Sequence, residues 1–226
     1  PRASALPFGP RGPVSELVLA ALASGSADAE ALAEAGRRAI AETDDVVDDD
    51  DVQLALFVLY ALAYGSLGRQ GADLEFNTGL LALRAMLEKE LEEALRARVP
   101  VPELPAPEAP AVAKALFELT NEPGGPGLAR FIARRATREQ LLEIIAHRTI
   151  YTLREADPHS WAIPRLTGRP KAALVEIQSD EYGAGNPERV HATIFASTVR
   201  GVGLDDSYGA YVDHVPALAL AGHNLM

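Results

Sequence analysis

Glu181 and His191 stand ten positions apart at either side of the break in QSDEYGAGNPERVH, residues 178–191. Both are residue types that ligate metals or move protons. On a helix running from Pro170, Glu181 continues the apolar row of Leu174 and Ile177 and avoids the row carrying Lys171 and Gln178, so its carboxylate is expected to point inward. An inward carboxylate demands a cation, a hydrogen-bond network or a metal, because burial without a partner forces it to take up a proton. Asn186 and Pro187 read as the cap and first residue of the next helix, which puts His191 in its second turn beside Ile194, Phe195 and Thr198, again facing inward. Gly183 and Gly185 let the chain jog between the two helices. Spacing alone leaves two readings open, a buried Glu–His hydrogen bond that fixes the break and one part of a metal site.

Glu155 is a third candidate, on a helix whose row Ile144, Arg148, Tyr151 is mixed in character. Glu143 and His147 are i, i+4 partners with ligand spacing, but a solvated salt-bridge face explains them better. The same holds for Glu176 and Asp180, which lie away from the Leu174 and Ile177 row. Two carboxylates and a histidine drawn from separate helices are the donors that a non-haem iron or manganese centre in a bundle needs. The acidic run DDVVDDDD, Asp44 to Asp51, lacks the alternating ligands, central glycine and closing glutamate of a calcium loop and reads as helix capping. Tyr151, Tyr182 and Trp161 are aromatic residues that either line a pocket or fill core.

Helices must position these groups, since the apolar residues follow the 3.6-residue period and no segment sustains a two-residue alternation. An all-α bundle is expected, with helices at 14–24, 28–43, 50–67, 74–98, 111–121, 127–136, 138–156, 170–182 and 187–201, and a last one from about Asp206. Thr137 and Gln140 form a capping box at the start of the 138–156 helix, and Asp157-Pro158 is expected to end it. The stretch VPVPELPAPEAP, 99–110, is an extended spacer. The 226 residues are therefore read as a single helical domain: N-terminal helices over 14–98, a proline-rich connection over 99–110, and a partial core over 111–226.

Composition narrows the function. A net charge of -11 repels nucleic acid and anionic membrane surfaces, and the absence of cysteine excludes disulfides, zinc ribbons, iron–sulfur clusters and thiol nucleophiles. Apolar runs such as LALFVLYALAY, Leu54 to Tyr64, are too short to span a membrane, so a cytoplasmic protein without nucleic-acid or membrane partners is expected. The chain opens on Pro1 and stops at LALAGHNLM, inside an apolar helical run, which suggests a fragment truncated at its C-terminus.

Three stretches, EADPHSWAIPRLTG, KAALVEIQSDEYGAGNPERVHATIF and GLDDSYGAYVD, resemble the iron-containing redox enzymes among the haem-oxygenase-like di-metal oxidases. The resemblance is strongest from about Arg138 to Asp213. It implies a haem-oxygenase-like helical bundle binding two non-haem irons, with manganese as an alternative metal and O2 as co-substrate. Carried over residue by residue, it implies Glu155, Glu181 and His191 as metal ligands. The remaining His/Asp/His set of that family lies on a later helix, and His214 and His223 do not match it. The expected activity is oxidation or oxygenation of a small organic molecule, with this chain holding half of the ligands, and a homodimer is left open. A thiaminase-like reading lacks its cysteine, and a haem-degrading one lacks a histidine in the first helix, since the first histidine is His147. The rival from another class is a non-catalytic helical interaction protein in which Glu155, Glu181 and His191 form a polar core network.

Overall fold

A computed structural model describes residues 6–69, 71–121 and 127–226, so Pro1 lies outside the described residues. The fold is built around one helix, α3 (Asp50–Ala63), whose sequence is apolar on every side and whose residues from Val52 to Leu59 are all buried. Helices α1 (Pro13–Ser24) and α11 (Ala217–Asn224) pack directly on α3. Helix α2 (Ala29–Glu42) lies against α1 and α4 (Thr78–Arg98), and α4 also touches α3. Helix α7 (Arg138–Thr152) reaches this core through Ile150 and touches α11. The outer layer is α8 (Ala156–Ser160), α9 (Gly168–Glu181) and α10 (His191–Gly201), with α8 against α9 and α10 against α7. Between these layers in sequence, α5 (Ala109–Asn121) and α6 (Leu128–Arg134) bury no residue. The described residues are all-α, with no strand and no helix long and apolar enough to cross a membrane.

Side-chain caps explain where the helices begin. Asp28, Asp49 and Asn77 each accept two backbone N–H groups at the starts of α2, α3 and α4, and Thr137 and Gln140 close the capping box of α7. The acidic run is used in the same way: Asp45 accepts from Val47 N, while Asp51 reaches across to accept from Val14 N and Ser15 N at the start of α1.

Several boundaries differ from those expected of the sequence; α4, for one, begins at Thr78 and not at Leu74, after a separate 3-10 turn at Ala72–Leu74. Helix α3 stops at Ala63, where Gly65 and Gly68 turn left-handed. Helix α7 ends at Thr152, before the Asp157-Pro158 pair expected to end it; that pair sits inside the first turn of α8, where a proline lacks no hydrogen bond. The last helix begins at Ala217 instead of near Asp206, because Gly209 adopts φ 89 and a single 3-10 turn, Val212–His214, precedes it.

Candidate metal centre

Glu181 is the last residue of α9 and His191 the first of α10. The ten-residue interval does not hold a continuous helix turn for His191; two 3-10 turns, Gly183–Gly185 and Pro187–Arg189, fill it. Asn186 caps the second by accepting from Glu188 N at 3.0 Å. Gly183 makes the reversal tight: with φ 66, a methyl group there would lie 2.7 Å from the Arg189 carbonyl carbon and 2.8 Å from Val190 N. The chain therefore folds back on itself, and His191 Nδ1 forms a 2.7 Å hydrogen bond with Glu181 Oε2.

The pair does not point into the core. The His191 side chain is 47% exposed and that of Glu181 26%, and Ile194 on the His191 face is open to solvent. The reason lies in the rotation of α9. Ile177 is 55% exposed while Gln178, expected on the solvated row, is 4% exposed. The Gln178 amide donates to the Ala156 carbonyl and to Ser160 Oγ, both at 2.7 Å, so a polar residue anchors the buried side of α9 through hydrogen bonds. Ser160 Oγ in turn meets Tyr182 OH at 3.0 Å, and Tyr182 OH donates to Asp157 Oδ1. These bonds tie α8 to both ends of the segment that carries Glu181.

Glu155 stands in the turn between α7 and α8, half-buried, and accepts a 3.1 Å hydrogen bond from Tyr151 OH. Burial, and next the Glu155 carboxylate, hold the Tyr151 phenol above its ordinary pKa, with the Glu181 carboxylate adding to the effect. One phenol thus feels both candidate carboxylates. Glu155 also borders a cavity of about 30 Å³ shared with Tyr60, Tyr64, Tyr151, His223 and Asn224.

The donor types suit iron or manganese, but of the three residues only Glu181 and His191 meet, while Glu155 is bonded to Tyr151. Among the described residues no group of three or more His, Asp or Glu side chains converges as metal ligands. The other spacing candidates separate further. His147 Nε2 lies 3.0 Å from the His214 backbone carbonyl, and Glu143 has no ion-pair partner among the described residues. Glu176 and Asp180 are exposed. Of the aromatics, Tyr151 borders the small cavity, whereas Trp161 faces a separate open cleft. Sequence reasoning missed Gln178 and the Ser160–Tyr182–Asp157 bonds, whose partners lie some twenty positions away.

Residues 142–226 match the family model described as iron-containing redox enzyme, of the haem-oxygenase-like superfamily. The matched segment runs from α7 through α11 and contains Glu155, Glu181 and His191. The all-α architecture is consistent with a haem-oxygenase-like bundle, and the match supports an iron-containing oxidoreductase in general. No curated protein and no solved structure matches the chain.

Proposed function

We propose that Glu155, Glu181 and His191 serve a non-haem iron centre in an O2-dependent oxidase or oxygenase that acts on a small organic molecule. The supporting observation is the 2.7 Å Glu181–His191 contact, formed across the break within the segment that matches the iron-containing family. Hard carboxylate oxygens with an imidazole nitrogen favour ferrous iron, with manganese as the alternative, and a two-iron centre takes its remaining donors from outside these three residues. Bound iron would supply the one-electron and O2 chemistry. The chain's own residues bind and orient. Glu181 and His191 would hold the metal, and Tyr151 orients Glu155 through its hydroxyl. The phenol, protonated at neutral pH in any case and held higher still by burial and the Glu155 carboxylate, donates that bond.

A second reading has its own support. With no third ligand converging on the pair among the described residues, Glu181 and His191 are also satisfied as a hydrogen-bonded clasp that closes the reversal. Anaerobic titration with ferrous iron, followed by metal analysis after gel filtration, separates the two. Retained metal that is lost in Glu181→Gln and His191→Ala supports the iron centre; no retained metal, with both variants losing only stability, supports the clasp.

A further inference from the structure

An open cleft of about 400 Å³ lies between the end of α3, the start of α4 and the segment following α8. That volume is in the range, about 300–1,000 Å³, in which proteins hold small organic molecules. Its two walls are built alike. One presents Phe76, 78% exposed, next to Glu75; the other presents Trp161, 47% exposed, next to Arg165, whose guanidinium donates to the Trp161 carbonyl. Aromatic side chains this open offer flat apolar faces on which another ring can stack. The remaining charges of the cleft are already engaged with one another, since Arg84 stands 3.3 Å from Glu88 and its guanidinium lies over the Tyr60 ring at 6.0 Å. Glu75 and Arg165 have no ion-pair partner among the described residues. Each wall therefore offers one aromatic face and one charge, and the two charges are opposite in sign.

We infer that this cleft binds a zwitterionic aromatic α-amino acid, with the ring between Phe76 and Trp161, the carboxylate on Arg165 and the ammonium on Glu75. A guanidinium matches a carboxylate through paired N–H donors, and an aromatic face favours both a stacked ring and a neighbouring ammonium. Tyr60 and Tyr64 line this cleft and also the small cavity that Glu155 borders. The cleft and the cavity beside Glu155 therefore share two lining tyrosines. The ligand's role as substrate rests on the iron centre proposed above; its binding does not.

The test uses the metal-free chain, so that loss of the iron reading and loss of this one are told apart. Trp161 is the only tryptophan, and its indole N–H gives one resonance that reports on the cleft directly. L-phenylalanine is expected to shift that resonance saturably, with a dissociation constant on the order of 1 mM or tighter. Phenethylamine and 3-phenylpropionate, each lacking one charge, are expected to bind about tenfold more weakly. Arg165→Gln should abolish the preference over phenethylamine, and Glu75→Gln the preference over 3-phenylpropionate. Neither residue is buried, so both variants retain the fold. The absence of a saturable shift, an equal response to glycine, or preferences that persist in the two variants would each overturn the assignment.

Discussion

His191 Nδ1 meets Glu181 Oε2 at 2.7 Å because Gly183 allows the backbone two residues after Glu181 to pass against Arg189 and Val190. The contact is thus a property of the reversal as much as of the two side chains. It joins the end of one helix to the start of the next, beside Ile194, which is open to solvent.

Gly183→Ala is expected to separate the pair. The added methyl meets backbone atoms at 2.7 and 2.8 Å, and its left-handed φ of 66 adds strain; together these cost about 1–3 kcal/mol. Ala184, at φ 51, is strained without any such contact at stake, so Ala184→Gly should raise stability by up to about 1 kcal/mol. Urea titration gives both numbers, and the His191 ring resonances report the contact. An unchanged His191 environment in Gly183→Ala would remove the reversal as its cause.

Gln178→Leu should weaken the seam between α8 and α9. The substitution leaves the Ala156 carbonyl and Ser160 Oγ without the amide that now donates to both, a loss of about 1–3 kcal/mol when such groups stay buried. Gln178→Glu should cost more, since a carboxylate would face the Ala156 carbonyl with nothing to donate. Chemical denaturation measures the order; equal stability of the leucine variant and the parent would show that the seam is held by other contacts.

How far these features could be read in advance depended on the range of the interaction. The helices and their caps were legible because the determinants are local, as in the Thr137–Gln140 box and the Asp49 cap. The pairing of Glu181 with His191 was legible too, because glycines, Asn186 and Pro187 mark the reversal between them. The facing of α9 was not. Hydrophobic periodicity assigns Ile177 to the inside and Gln178 to the outside, whereas the amide of Gln178 finds its partners on α8, 22 and 18 positions away. Glu155 was misplaced onto the preceding helix for a related reason, since Pro158 is tolerated in the first turn of a new helix and does not mark the end of the old one. The cleft pairs Phe76 with Trp161 across elements that have no sequence proximity.

Tyr151→Phe tests whether Glu155 is positioned or merely nearby. The variant keeps the ring, which packs edge-on to His223 at 6.0 Å and carries the Arg148 guanidinium over its face at 4.9 Å, and loses only the bond to Glu155. Stability should change by about 1 kcal/mol. Affinity for ferrous iron, measured calorimetrically without oxygen, should fall by about 10- to 100-fold, as for other groups that orient a metal ligand. Equal affinity in the variant and the parent would leave Tyr151 with a packing role alone.

His223 predicts how stability depends on acid. The ring sits between Phe57, 5.4 Å away, and Tyr151, and burial lowers its pKa from 6.5 to about 4, so the fold favours the neutral imidazole. The unfolded chain keeps the ordinary value and binds the proton first as pH falls. Stability from this residue is therefore fully present above about pH 6.5 and is lost progressively toward pH 4, by on the order of 3 kcal/mol in total. His223→Phe removes the titrating group while keeping an aromatic ring against Phe57 and Tyr151. Urea melts of the variant across this window should show a slope flatter than that of the parent chain; parallel slopes would assign the acid sensitivity to other groups.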